Sequence, residues 1–132
     1  MKKVYLSGRM TGLPRELYFA HFRKAEELLR KEGFRTCNPA RFIMCRWPWL
    51  YKLLGYNLTL CIDLYMMARC DMIYKIPGWK ESRGANIESC AAYHLNVWPV
   101  DIKVRQKIDK KLAKYIDKLI IERAKKPCQE KN

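Results

Sequence analysis

Closely spaced metal ligands are missing from this sequence. Its 132 residues include six cysteines and two histidines, and no two cysteines form a Cys-x-x-Cys pair. Structural zinc sites usually draw their ligands from such close pairs, so we expect no metal site. Cys61, Cys70 and Cys90 stand among apolar residues, which predicts that all three are small core residues.

Long apolar runs are missing as well. No run approaches the roughly 20 apolar residues that a membrane-spanning helix needs. The N-terminus is basic, but its apolar run ends at Leu6, which is too early for a signal peptide. We therefore expect a cytoplasmic protein with reduced thiols and no membrane partner.

Acidic residues are much rarer than basic ones, with 13 Asp and Glu against 27 Lys and Arg and a net charge of +14. The segment 103–132 holds 11 of the basic residues and 4 of the acidic ones. We divide the chain into an α/β domain over 1–102 and a basic C-terminal helix and tail over 103–132. The basic excess indicates either a solvated helix face or a surface that attracts a polyanion, and charge alone leaves both open.

Periodic apolar residues predict alternating strands and helices. The strands are predicted at 4–6, 34–37, 72–76 and 97–100, and the helices at 15–31, 58–69, 85–95 and 103–125, with an irregular excursion and a short helix over 41–56. This alternation favours a parallel sheet that helices cover on both faces. Strand 72–76 is predicted to be central, and Pro99 places strand 97–100 at an edge. The apolar stripe of the last helix packs either on its own sheet or against a neighbouring subunit.

Ligands of such sheets bind beyond the carboxyl ends of the strands, where this sequence places two loops. The first loop, 7–12, holds two glycines, the hydroxyls of Ser7 and Thr11, and Arg9. It is neither a Walker A loop nor a Gly-x-Gly-x-x-Gly motif. It is either an ordinary tight turn or an anion cradle made of backbone N–H groups and these side chains. The second loop, 77–84, should open onto the same crevice.

Three carboxylates are candidates for chemistry in this crevice. Glu88 falls one turn into a predicted helix, where it is either a partner of the helix dipole or a reactive group. Asp63 stands among apolar residues, and Asp71 either approaches the crevice or simply ends the preceding helix. Two carboxylates in one pocket suit glycosidic chemistry, in which one attacks the anomeric carbon and the other handles the proton of the leaving group. Tyr5, next to the first loop, is placed to hydrogen-bond Glu88.

The chain also carries an ordered set of short motifs over 4–100. They are Val4-Tyr5-Leu6-Ser7-Gly8, Met10-Thr11-Gly12-Leu13-Pro14, Asn38-Pro39-Ala40, Asp63, Cys70-Asp71, Pro77-Gly78-Trp79 and Ser82-x-Gly84-Ala85-x-x-Glu88. Each motif is short, but the ordered set is specific. It resembles the nucleoside 2-deoxyribosyltransferase-like superfamily, and within it the branch of small phage- and bacteria-associated domains.

This resemblance implies a flavodoxin- or Rossmann-like three-layer α/β sandwich, an N-glycosidic bond as the target, and a homo-oligomer whose pockets are often completed by a neighbouring subunit. A Glu at the position of Glu88 is the nucleophile in these enzymes, and a Tyr at the position of Tyr5 orients it. An Asp at the position of Asp63 contacts the base or assists its departure. Transferases carry an Asp where this chain has Ser82, whereas the similar deoxynucleoside 5′-monophosphate N-glycosidases have a Ser there that contacts the phosphate. Arg83 lies outside the motif and either adds to the phosphate site or obstructs it.

We therefore predict an enzyme that cleaves or exchanges the N-glycosidic bond of a (deoxy)nucleoside 5′-monophosphate without a metal or organic cofactor. Glu88, Asp63 and Tyr5 form the predicted catalytic set. The predicted substrate-binding set is Ser7, Gly8, Arg9, Thr11, Gly12, Asp71, Ser82 and Gly84. Two other functions stay open: a non-catalytic module that binds or senses a nucleotide, and an accessory protein that binds nucleic acid through the basic C-terminal helix.

Overall fold

The structure is a computed structural model that describes residues 2–9, 13–41 and 48–125. Within these ranges the chain forms four strands and five α-helices. The strands are β1 (Lys3–Ser7), β2 (Arg35–Cys37), β3 (Met72–Lys75) and β4 (Trp98–Pro99). The helices are α1 (Arg15–Lys31), α2 (Pro48–Leu54), α3 (Tyr56–Ala68), α4 (Arg83–His94) and α5 (Ile102–Ala124).

The four strands form one parallel sheet in the order β2-β1-β3-β4. The predicted parallel α/β fold is therefore confirmed, with β3 inside the sheet and the proline-containing β4 at its edge. The chain adds β2 on one side of β1 and β3 on the other. This reversal opens a crevice beyond the carboxyl ends of β1 and β3, where Ser7 pairs with Lys75.

The two faces of the sheet are covered by different helices because neighbouring side chains of a strand point to opposite faces. On β1, Val4 and Leu6 enter one apolar cluster together with Phe22 of α1 and Ile108 of α5. Tyr5 points the other way, into a cluster that holds residues of α3 and α4: Met67 and Ala92, together with Cys37, Cys70, Ile73 and Val97. The result is a three-layer sandwich with α1 and α5 on one side and α3 and α4 on the other.

The sharp return from α1 to β2 depends on Gly33. Gly33 has a φ of +92°, a conformation that side-chain-bearing residues rarely adopt. Its N–H donates to the carbonyl of Arg30 at 3.0 Å, and the N–H of Phe34 donates to the carbonyl of Leu29 at 3.2 Å. These two bonds are those of a Schellman motif, with Glu32 as the C-cap of α1 and Gly33 directly after it.

The apolar stripe of α5 packs on the molecule's own sheet. Ile108 and Leu112 are 1% and 0% exposed and belong to the same cluster as Leu6 of β1. The alternative, in which this stripe contacts a neighbouring subunit, is therefore wrong for these two residues. α5 is a layer of the α/β domain, although the sequence suggested a separate C-terminal part beginning at residue 103.

Two of the expected core cysteines are on the surface. Cys70 is buried, but Cys61 and Cys90 are exposed on α3 and α4. Apolar neighbours in the sequence misled the prediction, because a helix with 3.6 residues per turn points only one side of its surface towards the sheet. In the segment predicted to be irregular, the short helix is α2, while residues 42–47 lie outside the described residues. None of the described helices is both long and apolar enough to cross a membrane.

The packing of α5 predicts a specific loss of stability. We expect Leu112→Ala to lower the free energy of unfolding by about 2–5 kcal/mol, because it leaves a cavity between α5 and the sheet. Ile120, on the same helix, is 54% exposed, and Ile120→Ala should change that free energy by less than about 0.5 kcal/mol. Urea denaturation measures both variants. Equal, small losses would show that α5 adds nothing to the core.

Candidate active site

Glu88 lies at the centre of the site because of the way α4 begins and turns. Ser82 caps the helix: its Oγ accepts a hydrogen bond from the N–H of Ala85 at 3.2 Å. The buried residues of α4 are Ala85, Glu88 and Ala92, which follow helical spacing and face the sheet. The small alanines on either side let the helix pack closely, so the Glu88 side chain is 6% exposed.

Two hydroxyls of β1 hold the Glu88 carboxylate. The Tyr5 hydroxyl donates to Oε2 at 2.5 Å, and the Ser7 hydroxyl donates to Oε1 at 2.9 Å. Tyr5 and Ser7 are two residues apart on one strand, so both point towards α4. The expected hydrogen bond between Tyr5 and Glu88 is confirmed. Ser7, expected to contact a phosphate, is instead fully buried and bonded to Glu88, because strand alternation turns it away from the open loop.

The surroundings of Glu88 change its acidity in two opposite ways. Burial raises the pKa of Glu88, while the hydrogen bonds from Tyr5 and Ser7 lower it and leave a net rise. Burial and the charge of Glu88 raise the pKa of Tyr5 well above its usual value. Tyr5 therefore keeps its proton at neutral pH and remains a donor to the carboxylate.

A second carboxyl group, that of Asp63, lies close enough to Glu88 for their charges to interact. Asp63 is half-buried in the middle of α3. Burial raises the pKa of Asp63, and the negative charge of Glu88 raises it further, to about 7. The two carboxyls approach the carboxyl edge of the sheet from two different helices. Two neighbouring carboxyl groups can divide the roles of proton donor and nucleophile or base between them.

The two loops beyond β1 and β3 meet, as predicted. Arg9 follows β1, and its Nη1 lies 3.1 Å from Oε2 of Glu81 in the loop after β3. Gly8 is required by close packing, because a Cβ there would lie 3.1 Å from the Cβ of Ile76 and 3.3 Å from the ring of Phe22. The loop residues Thr11 and Gly12, also predicted to bind substrate, lie outside the described residues.

Asp71 does not reach this crevice. Its Oδ2 accepts a hydrogen bond from the backbone N–H of Lys3 at 3.0 Å, at the start of β1. Ser7 ends the same strand on the crevice side, so Asp71 lies at the opposite, amino edge of the sheet. Its prediction as a substrate-binding residue is therefore wrong. An acid directly before a parallel strand lies at the edge that ligands do not use.

The structure adds Tyr56 to the rim of the site. A Cβ on Gly84 would lie 3.6 Å from the Tyr56 hydroxyl and 3.9 Å from Oγ of Ser82. The Tyr56 hydroxyl is buried and has no hydrogen-bond partner among the residues that the structure describes. The guanidinium of Arg83 lies 5.9 Å from the centre of the Tyr56 ring. Tyr56 and Arg83 thus flank Ser82 and Gly84 at the start of α4.

Comparison with known protein families identifies the family of this chain. The family described as "Domain of unknown function (DUF4406)" matches residues 2–99. The chain belongs to this family. No match was found among curated proteins or among solved structures. The matched segment contains all four strands and every site residue described above, whereas α5 follows it.

Lys75, like Tyr56, lies in the family domain near the site and was not predicted from the sequence. It ends β3 beside Ser7, and its ammonium donates to Oγ of Ser89 at 3.1 Å. The same ammonium lies 4.5 Å from the centre of the Trp79 ring. Burial lowers the pKa of Lys75, and the positive charges of Arg105 and Lys80 lower it further. A lysine between Tyr74 and Ile76, within an otherwise apolar predicted strand, was the signal that could have revealed it.

Removing the Tyr5 hydroxyl should change the acidity of Glu88. We expect Tyr5→Phe to raise the pKa of Glu88 further, because the lost hydrogen bond favours the ionised form. Carboxyl carbon NMR of the protein labelled at glutamate measures this shift. Tyr74→Phe is the matched control, since Tyr74 is equally buried but bonds Asp109 on the other side of the sheet. Equal shifts in both variants would contradict a direct bond.

Proposed function

We propose that this protein cleaves or exchanges the N-glycosidic bond of a (deoxy)nucleoside 5′-monophosphate, with Glu88 as the nucleophile. The observation that carries the proposal is the buried Glu88 carboxylate, which two hydroxyls of β1 hold at the carboxyl edge of the sheet. A carboxylate that serves only the helix dipole needs no such burial, since solvent-exposed acids also interact favourably with a helix N-terminus and avoid the cost of desolvation. The resemblance to the nucleoside 2-deoxyribosyltransferase-like superfamily supports the same residue.

In the first step, an oxygen of Glu88 forms a bond to the anomeric carbon of the sugar, and the bond between that carbon and the base nitrogen breaks. The electron pair of the broken bond stays on the base. Each Glu88 oxygen keeps a lone pair after accepting its hydrogen bond, so the carboxylate can attack while Tyr5 and Ser7 hold its orientation. The product is a glycosyl ester of Glu88 and a free base.

Asp63 supplies the proton that the departing base takes up. Its raised pKa of about 7 keeps a large share of Asp63 protonated near neutral pH. In the second step, water or a second base attacks the anomeric carbon and gives a proton to Asp63. The ester bond to Glu88 breaks as the new bond forms, its electron pair returns to the Glu88 oxygen, and both carboxyl groups regain their starting states.

The phosphate of the substrate is assigned to the start of α4 and the loop after β1. A helix N-terminus attracts anions, and Ser82 can still donate its hydroxyl proton while its oxygen caps the helix. Gly84 leaves the first turn of the helix open. Two cations are nearby in the chain: Arg83 in the same turn, near the Tyr56 ring, and Arg9, which pairs with Glu81 in the loop before the helix. The sequence also predicts phosphate contacts for Thr11 and Gly12, and these stay predictions.

Replacement of Glu88 tests the proposal directly. We expect the intact protein to release free base from at least one member of a panel of dNMPs and NMPs, followed by liquid chromatography. Glu88→Gln should lower that rate at least about 1,000-fold, because the amide cannot attack the sugar. Glu16→Gln, an exposed change in α1, should leave the rate unchanged.

Two results would contradict this assignment. Absence of free base from every nucleotide with the intact protein would exclude the reaction. Calorimetry that shows nucleotide binding without turnover would select a non-catalytic module that binds or senses a nucleotide.

The two carboxyls also predict the pH dependence of the reaction. The rate should rise as Glu88 loses its proton, at a pH above the usual range of a glutamate, and should fall as Asp63 loses its proton at about pH 7. We expect Asp63→Asn to abolish the alkaline fall and to lower the rate about 100-fold or more. Tyr5→Phe should move the acid limb to higher pH. An alkaline fall that persists in Asp63→Asn would assign the proton to another group.

A further inference from the structure

One exposed face of α5 consists of lysines alone. At roughly 100° per residue, the positions 103, 107, 110, 111, 114 and 118 fall within an arc of about 100° around the helix. Every residue of this arc between 103 and 118 is a lysine, and all six are exposed. We call this arc the lysine face. The buried Ile108 and Leu112 lie on the opposite side of the helix.

The charges of the lysine face are mostly uncompensated. Lys107 pairs with Glu32 of the segment after α1 at 2.7 Å. Among the residues that the structure describes, the other five lysines of the face form no ion pair, and of these Lys111 lies near enough to Glu32 for its charge to act on that carboxylate. The outer surface of α1 differs, since Lys24 and Lys31 pair with Glu27 and Arg30 pairs with Glu26. A balanced helix surface is therefore present in the same fold, and α5 departs from it.

The composition of this face restricts its partner. The buried apolar residues of α5 are held in the core, and its exposed isoleucines, Ile102, Ile120 and Ile121, stand only near the two ends of the helix. The helix therefore has no continuous apolar face with which to enter a membrane. The face also lacks the aromatic anchors that carry most protein interfaces, and the aromatics that stack single-stranded bases. What is left is a row of point charges, which suits a regular array of phosphates.

We propose that the lysine face binds the phosphate backbone of double-stranded nucleic acid without reading its sequence. From Lys103 to Lys118 the face is roughly 22 Å long. One strand of duplex DNA carries a phosphate about every 3.4 Å along its axis, so this length corresponds to about six phosphates. The face offers no Asn, Gln or Arg, the side chains that most often read base edges. This binding is independent of the reaction proposed for Glu88.

Fluorescence anisotropy measures binding to a fluorescent 20-base-pair duplex at several salt concentrations. The salt dependence of the affinity tests this proposal. With five unpaired lysines, the plot of log affinity against log salt concentration should have a slope of about −4 to −5. The triple variant Lys110→Gln, Lys114→Gln, Lys118→Gln should lose at least about tenfold in affinity and make the slope shallower by about 3.

A matched control variant carries Lys2→Gln, Lys31→Gln and Lys52→Gln. It has the same net charge as the triple variant, but its three exposed lysines lie on other elements. We expect the control to keep the slope of the intact protein, and circular dichroism to show both variants folded. Equal weakening in both variants would overturn the proposal, because net charge rather than this face would explain binding. Absence of duplex binding at low salt, or tighter binding to phosphatidylserine vesicles than to the duplex, would overturn it as well.

Discussion

A carboxylate can stay inside a domain only where donors reach its oxygens, and Glu88 meets this condition through two hydroxyls of one strand. Tyr5 and Ser7 must point to the same face of β1, and α4 must begin at Ser82 for Glu88 to face them. The packing of α4 against β1 therefore depends on the hydrogen bonds that the Glu88 carboxylate accepts. Loss of either hydroxyl would leave a buried oxygen without its donor, so the same contacts support both the fold and the chemistry proposed for the site.

The fold separates its stabilising core from its polar site by using the two faces of the sheet. The side covered by α1 and α5 is packed with apolar residues. The side covered by α3 and α4 holds the smaller cluster and, beyond it, the carboxyls of Asp63 and Glu88. Desolvation on this second side raises the pKa of both acids. The larger apolar layer stabilises the domain while the second layer carries charged groups that cost free energy to bury.

Only the tertiary structure shows where the excess positive charge lies and where it is balanced. The sequence shows a net charge of +14 but not where it is balanced. On α1, acidic residues one turn away compensate most of the cations. On α5, helical spacing collects lysines on a face that the core does not use. The helix that carries this face follows the segment that matches the family, yet it packs into the same apolar core.

The sequence by itself determined the elements and their order, because apolar periodicity depends only on local geometry. It predicted α1 at its observed bounds. The position of Tyr5 beside the first loop, together with the family resemblance of the ordered motifs, predicted its hydrogen bond to Glu88. Tertiary structure alone decided which edge of the sheet each polar group occupies. Asp71 fell at the amino edge and Ser7 turned inwards to Glu88, since both outcomes depend on strand register and helix packing. Tyr56 and Lys75 were found near the site only in the structure, for the same reason. Contacts between residues distant in sequence produce no periodic pattern in the sequence.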